Sequence, residues 1–231
     1  MNETCKVISP RKSQISFIEV SRPIEAGMTT YPGLPAPKAE IFLDYEQSKN
    51  IYHNQSEFLI SSLHLCGNTG TYVDSPCHRY REGIDLAKLP LSSLAHLSVV
   101  TVDATQYPER GINSDIFQNL DLQNKAVLIR TDWSKHGGTK EYFSPHPFLK
   151  ASTCEFLVHS KVKFVGIDSL NIDDTKDMSR PAHTILLGAN IPICEHMTNL
   201  ENIPIHDAYL HAVPIAWVGG ATFPVRAYIM H

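Results

Sequence analysis

Apolar residues fall into short runs along this chain, and several runs are rich in β-branched side chains. Runs of this kind are too short for interior helices and are typical of buried strands. The C-terminal stretch alternates in polarity and is interrupted at Gly219 and Gly220, which predicts two strands there. The predicted strands are residues 15–20, 58–65, 97–102, 126–130 and 164–167, with two more inside 209–230.

Helix signals lie between those runs. Ser152, with Glu155 three residues later, resembles a capping box, and a serine two residues before Pro181 is typical of a helix start. The polar stretch 47–55, which includes His53, reads instead as a mobile loop that could form a lid. The signals predict helices over residues 114–120, 152–159 and 179–188.

The predicted strands outnumber the helices and alternate with them only loosely. This order favours one mixed α/β domain over residues 1–231, with a curved or barrel-like sheet rather than a doubly wound parallel one. No GxGxxG or GxxxxGK[ST] motif occurs, so the sequence gives no support for a nucleotide cofactor. A chain of 231 residues with ordinary apolar content is long enough to bury one substantial core.

Charge and cysteine content narrow the classes of partner and compartment. The formal net charge is -4 and no basic stripe is present, so we expect neither nucleic acid nor a membrane surface as a partner. Residues 1–14 are polar and lack the apolar stretch of a signal peptide. An odd number of widely spaced cysteines predicts a reducing, cytoplasmic location, with Cys66 and Cys77 as packing residues. The cysteines are Cys5, Cys66, Cys77, Cys154 and Cys194.

Side chains of catalytic type crowd into residues 68–78, which read NTGTYVDSPCH. On an extended backbone, alternate residues share a face, so Asn68, Tyr72, Asp74 and His78 are expected to point the same way over its extended parts. Aspartate supplies a hard oxygen ligand or orients a histidine, and histidine supplies a ligand or a general base. From spacing alone, a tight loop with a capping aspartate and a surface histidine is an equally good interpretation.

This loop resembles the HxGTHxDxPxH signature of the cyclase-like, metal-dependent hydrolase family, which includes bacterial kynurenine formamidases and isatin hydrolase. Segments along nearly the whole chain share the resemblance. They are residues 21–24 (SRPI), 31–33 (YPG), 166–169 (GIDS) and 224–227 (PVRA), with His183 and Glu195 twelve residues apart like a distal ligand pair. The resemblance implies a swivelling β/β/α fold with a small central β-barrel-like sheet and peripheral helices. It also implies a homodimer or homotetramer.

The chain departs from the signature at two positions. Asn68 and Tyr72 replace two histidines that are metal ligands in the typical member, and an amide and a phenol are poorer ligands at neutral pH. The resemblance assigns the remaining ligands to Asp74, His183 and Glu195. Three ligands with open positions fit one catalytic divalent metal, zinc or manganese, with no organic cofactor. His196 is a further candidate, although neighbours in a strand point oppositely.

The function that follows is hydrolysis of a carbon–nitrogen bond in an amide, formamide or cyclic amide of a small, aromatic molecule, similar to arylformamidase activity. His78 would move the proton, and Tyr72 with Asn68 would stabilise the oxyanion. One alternative is a metal-free hydrolase or lactonase, in which Asp74 orients His78 as the base and Tyr72 is the acid or an oxyanion donor. Another is a non-catalytic protein that binds a small molecule.

Several other side chains have two interpretations each. Tyr31 and Phe58 are candidates for an aromatic wall of the substrate site, with core packing favoured for Phe58. Arg79 and Arg226 are candidates to bind a substrate carboxylate, although a structural ion pair is favoured for Arg79. The remaining predictions are structural: a packed His64, and an Asp168 that accepts from backbone amides after its strand.

Overall fold

One nine-stranded mixed sheet dominates the fold, in the order β1-β13-β11-β5-β7-β9-β10-β4-β12. The computed structural model describes residues 15–231, so Cys5 and the polar stretch 1–14 lie outside the described residues. The strands are β1 (Phe17–Glu19), β2 (Lys38–Leu43), β3 (Ile60–His64), β4 (Tyr72–Asp74), β5 (Ala95–Asp103), β6 (Gly111–Ile112), β7 (Ala126–Arg130), β8 (Phe148–Leu149), β9 (Phe164–Ile167), β10 (Ile193–Glu195), β11 (Tyr209–His211), β12 (Thr222–Pro224) and β13 (Tyr228–Met230). The α-helices are α1 (Tyr45–Ile51), α2 (Ala151–His159) and α3 (Pro181–Gly188).

The apolar runs that predicted buried strands form the middle of this sheet. Strands β5, β7 and β9 pair in parallel, and β10 continues the parallel order beside β9. All four residues of β9 and the first four of β7 are buried. Apolar cores cover both faces of these strands, which explains why they read as continuous apolar runs rather than alternating ones.

The sheet curls because its two ends are joined by a very short stretch of chain. Strand β12 lies at one edge, whereas β13 is second from the opposite edge, and only residues 225–227 separate the two. Four residue steps span about 14 Å at full extension, so the two edges must approach each other. Backbone bonds from Val225 to Thr71 and from Val20 to Ala227 extend the pairing on both sides. The prediction of a single α/β domain with a barrel-like sheet is confirmed.

Helices α2 and α3 pack together against one face of the sheet. The predicted capping box is wrong, because α2 begins at Ala151 and places Ser152 inside its first turn. Helix α3 begins at Pro181 after Arg180 in a left-handed conformation, not after a serine cap. The predicted helix over residues 114–120 is a short 3-10 helix, Ser114–Phe117.

A separate two-stranded arm is formed by β2 and β3, with α1 between them. The prediction of a loop at 47–55 is wrong for its first half, since Asp44 and Gln47 form a true capping box that starts α1. Core packing of Phe58 is also wrong: this side chain is 49% exposed and contacts Tyr52 edge to face. The C-terminal stretch contains three strands rather than two. Within residues 15–231, no helix is long and apolar enough to cross a membrane.

Candidate active site

Strands β4 and β10 bring the predicted site residues together in the middle of the molecule. The two strands are antiparallel, and Tyr72 is paired with Glu195 while Asp74 is paired with Ile193. Tyr72 and Asp74 are alternate residues of β4 and therefore share a face, as the sequence predicted. Immediately after β4, the backbone enters a 3-10 helix, Pro76–His78, which turns His78 back towards Asp74.

Asp74 is the centre of a compact group of ligand-type atoms. Its Oδ2 lies 3.6 Å from His183 Nε2 and its Oδ1 lies 4.0 Å from His78 Nε2. One ligand atom from each of the three residues lies within 4.8 Å of the others. The carboxylate is fully buried, yet neither oxygen accepts a hydrogen bond from a described residue. A buried carboxylate without hydrogen-bond donors costs free energy. A divalent cation would satisfy its oxygens and suits this set of oxygen and nitrogen ligands.

His183 is held in a fixed orientation by an aspartate that sequence reasoning missed. Asp173 accepts from the ring Nδ1 at 2.6 Å and from the backbone amides of Ala182 and His183 at the start of α3. Nε2 is thereby directed at Asp74, the arrangement found for histidines that bind metals. Burial lowers the pKa of His183, but the hydrogen bond to Asp173 and the carboxylates of Asp74 and Glu195 outweigh it and raise that pKa to about 10.

Glu195 lies beside this group, with Oε1 3.7 Å from His183 Nε2. Its oxygens already accept hydrogen bonds from the Ile172 amide at 2.7 Å, the Asn171 side chain at 3.2 Å and the Tyr72 hydroxyl. Burial raises the pKa of Glu195, and burial likewise raises that of Tyr72, which stays a neutral donor. The structure therefore groups His78, rather than Glu195, most closely with Asp74 and His183. It directs the Tyr72 hydroxyl at Glu195.

A cavity of about 450 Å³ opens onto these residues. Tyr31 and Asn68 line it, and Asn68 Oδ1 accepts from Thr222 Oγ1 at 3.1 Å. Arg79 lines it too, with its Nε bonded to Thr184 Oγ1 at 3.0 Å. The structure thus places seven of the sequence-predicted site residues around one cavity, with the fully buried Asp74 next to two of them, although their roles stay predictions. The seven are Tyr31, Asn68, Tyr72, His78, Arg79, His183 and Glu195. The cavity is completed by residues that the sequence reasoning did not name: Leu34, Asn171, Met178 and Arg180.

Apart from Leu34, the missed residues have a common origin in the loop that follows β9. Asn171 and Asp173 lie there, and Arg180 ends the loop before α3. The sequence did contain a signal for this loop, because polar residues directly after a buried parallel strand mark the sheet edge at which binding sites form. The cluster NIDD at residues 171–174 meets that description.

Other candidates lie away from the cavity. Arg226 is exposed and pairs with Glu19 at 2.8 Å, so the structure does not bring it to the substrate site. His64 is exposed, which makes the packed interpretation wrong. His196 bonds to Tyr142 on the opposite side of the strand, and burial lowers its pKa to about 3. The structural role of Asp168 is confirmed, since it accepts from the Thr131 and Asp132 amides at the end of neighbouring β7.

Known proteins resemble this chain over most of its length. A kynurenine formamidase from Salinibacter ruber is 29% identical over 217 residues, covering 93% of this chain and 97% of its own. One from Bacillus cytotoxicus is 27% identical over 214 residues, covering 92% and 96%.

Solved structures show that the fold is shared. Isatin hydrolase A from Labrenzia aggregata, bound to benzyl benzoate, superposes with a TM-score of 0.79 at 19% identity, over 94% of this chain and 93% of that one. A structure described as a potential metal-dependent hydrolase with cyclase activity gives 0.76 at 24% identity, over 94% and 98%. The family model described as "Putative cyclase" matches residues 18–174, more than half of the chain. By that match, the protein belongs to the cyclase family.

Proposed function

We propose that this protein is a metal-dependent hydrolase that cleaves a carbon–nitrogen bond in an amide, formamide or cyclic amide of a small aromatic molecule. One observation carries the proposal: Asp74 is buried between two imidazoles, and no described residue donates a hydrogen bond to either carboxylate oxygen. The names of the relatives, kynurenine formamidase and isatin hydrolase, support the bond type and the aromatic substrate. Membership of the cyclase family supports the same reaction class.

The proposed metal ligands are Asp74, His183 and Glu195, with zinc or manganese as the cation. When bound, such a cation polarises a carbonyl and lowers the pKa of a bound water to about 7. Glu195 is fully buried beside His183, whereas the His78 side chain is 34% exposed. Partial exposure suits a residue that exchanges protons with substrate and solvent, so His78 is assigned to proton transfer.

The remaining side chains bind and orient. Tyr72 donates to Glu195 and fixes the carboxylate, so its direct part in oxyanion stabilisation requires that bond to be exchanged. Asn68 lines the cavity beside it and is the better placed donor towards a substrate carbonyl. Tyr31 offers an aromatic surface, and the guanidinium groups of Arg79 and Arg180 favour a substrate that carries a carboxylate.

The metal-free alternative has weaker support in the geometry. It requires Asp74 to orient His78 through a hydrogen bond, but the two side chains are 4.0 Å apart. That separation is beyond hydrogen-bond distance. The non-catalytic alternative is decided by turnover rather than by geometry.

Elemental analysis tests the metal directly. Protein purified without added metal should contain about one equivalent of zinc or manganese, and Asp74→Ala and His183→Ala should lose it. Asp121→Asn is the matched control, because that side chain is 80% exposed and pairs only with Lys125. Wild-type protein that stays free of metal after incubation with zinc or manganese would overturn the proposal.

Two further variants separate the assigned roles. Glu195→Gln should lower metal content, whereas His78→Ala should keep the metal and lose turnover. Loss of metal in His78→Ala with full occupancy in Glu195→Gln would exchange the two assignments. Substrates to screen are N-formyl aromatic amines, isatin-like cyclic imides and small lactones. Turnover of lactones alone would contradict the assignment to a carbon–nitrogen bond.

We also propose that the protein assembles as a homodimer or homotetramer. The arm of β2, α1 and β3 exposes an unusual number of large apolar side chains for a solvated surface, and such patches mark interfaces. Among them, Ile41 is 67% exposed and Phe42 is 78% exposed. Light scattering should give a multiple of the 25.8 kDa chain mass, and Ile41→Ser with Phe42→Ser should reduce it. A cytoplasmic location stays a prediction, as does a part in tryptophan catabolism, which the resemblance to kynurenine formamidases implies.

A further inference from the structure

A second cavity, of about 470 Å³, lies on the other side of the stretch 68–72 from the candidate active site. The two cavities have no lining residue in common. Its polar wall contains Arg22, Tyr142 and His196, and apolar surface is provided by Met28 and Phe143. Nothing in the proposed reaction uses these residues, so the cavity needs its own explanation.

One ring nitrogen of His196 has no hydrogen-bond partner within residues 15–231. The other, Nδ1, lies 2.8 Å from the hydroxyl of Tyr142. When this hydroxyl donates to Nδ1, the ring hydrogen is on Nε2. Nε2 is buried and is the nitrogen without a partner. His196 also holds a positive φ of 58°, a conformation that costs free energy for a residue with a side chain.

Arg22 supplies a half-buried positive charge beside His196. Its Nη2 donates to Ser134 O at 2.8 Å, and the guanidinium lies over the Tyr142 ring at 4.8 Å from the centroid. Its Nε is buried and has no acceptor in the part of the chain that the structure describes. Within residues 15–231, no carboxylate lies within ion-pair distance of Arg22. A side chain on Gly137 would overlap the guanidinium, so glycine keeps the space that Arg22 occupies.

Arg22 and His196 are held in fixed positions relative to each other by Thr71. The Thr71 hydroxyl accepts from the Arg22 amide at 3.0 Å and donates to the His196 carbonyl at 2.7 Å. Thr71 is itself almost fully buried. Thr71 thereby fixes the backbone at Arg22 and at His196 before a ligand binds, which lowers the entropic cost of binding.

We propose that this second cavity binds a small carboxylate with an apolar body, with the carboxylate between Arg22 and His196. A carboxylate accepts hydrogen bonds from both unpartnered nitrogens and neutralises the unpaired guanidinium, whereas a water molecule does only the first. Tyr142 and Phe143 provide aromatic surface for the body of the ligand. Glu25 and Lys140 also line the cavity, but both are exposed and their formal charges cancel. This site does not depend on the proposed reaction.

A crystallographic soak with 4-bromobenzoate tests the site in the intact protein. The anomalous signal of bromine should lie near Tyr142 and Phe143, with carboxylate density between the Arg22 and His196 side chains. Bromine only in the cavity of His78 and His183, or only a water between Arg22 and His196, would overturn the proposal. The soak uses unaltered protein and is independent of how any variant folds.

Calorimetric titration with benzoate gives the energetic test. Loss of a charge-assisted hydrogen bond should weaken benzoate binding at this site at least about tenfold in Arg22→Met. Arg226→Met removes an exposed arginine outside this cavity and should leave binding unchanged. Arg180→Met reports on benzoate held in the active-site cavity instead. An affinity that falls in Arg180→Met and not in Arg22→Met would contradict the proposal.

Discussion

Two buried aspartates, Asp74 and Asp168, face opposite situations within the same sheet. Asp168 follows β9 and is satisfied on both oxygens: Oδ1 accepts from the Thr131 amide at 2.8 Å and Oδ2 from the Asp132 amide at 2.9 Å. Asp74 ends β4 and is equally buried, but its carboxylate accepts no hydrogen bond from residues 15–231. The contrast separates a carboxylate that holds the fold together from one kept available for something outside the chain.

The strongest test of this contrast is the variant Asp74→Asn. It should reduce turnover at least about 1,000-fold, since the proposed metal loses its only ligand from β4. The metal-free variant should lose less stability than Asp168→Ala does, because it gives up only the attraction between the Asp74 carboxylate and the protonated His183 ring. Assays with saturating zinc or manganese, and calorimetric unfolding with a chelator, measure the two effects. A large loss of stability with turnover retained would reverse the roles of the two aspartates.

Asp168→Ala should show the opposite pattern. Two backbone amides and the Thr131 hydroxyl lose their acceptor, so the free energy of unfolding should fall by about 3 kcal/mol. Metal content per folded molecule should stay at the wild-type value. Urea unfolding and elemental analysis of the folded fraction check both statements. Unchanged stability would show that the hydrogen bonds at this strand end are not what Asp168 contributes.

The Asp74 region should also respond to pH through His183. Its pKa is raised to about 10, so its stabilising contribution is complete below the unfolded value near 6.5 and is lost as pH rises through 10. Metal-free wild type should therefore lose stability between pH 7 and pH 10, and His183→Gln should lose less. Bound metal must displace the same proton, so metal affinity should rise about tenfold per pH unit between pH 7 and pH 9. Parallel stability curves for the two proteins would contradict this account.

The smallest expected effect concerns Glu195, which accepts hydrogen bonds as Asp168 does and is a proposed metal ligand as Asp74 is. Tyr72→Phe removes one of its three donors and leaves Asn171 and the Ile172 amide in place. Stability should fall by about 1 kcal/mol, the ordinary value of one hydrogen bond. Turnover should fall less than in Asp74→Asn, because no proposed ligand is removed. Equal losses of turnover in the two variants would place the Tyr72 hydroxyl in direct contact with substrate.

The central strands were predicted correctly because their surroundings are apolar on both faces. Strands β1 and β3 were also predicted from their apolar positions, although none of their residues is fully buried. Strands β7 and β9 are buried throughout or nearly so, and a continuous apolar run is the direct result. Strand β2 was not predicted, because a strand in a two-stranded arm packs against little, and five of its six residues are exposed. The cap of α1 was readable in Asp44 and Gln47, but the polarity of the segment concealed it.

The residues of the site also differ in whether the sequence alone could predict them. Residues 68–78 were readable because one short loop and strand supply several chemical groups at fixed spacing. The partner of His183 was not, because Asp173 lies ten residues earlier and meets the ring only through the loop after β9. Whether a buried carboxylate accepts hydrogen bonds depends on donors that the fold brings from distant parts of the chain. The difference between Asp74 and Asp168 therefore could not be read from the chain itself.

The short link 225–227 between β12 and β13 has a consequence for how the molecule folds. Strand β12 pairs with β4, and β13 pairs with β1 and β11, so two strands that are synthesised after their partners complete both edges of the sheet. These contacts join residues about 150 to 210 positions apart, and contacts of such high sequence separation form slowly. During synthesis, one side of β4 therefore stays unpaired until residues 222–230 have been made. Nascent chains of this protein should therefore depend on chaperones for longer than their early helices and central strands would require.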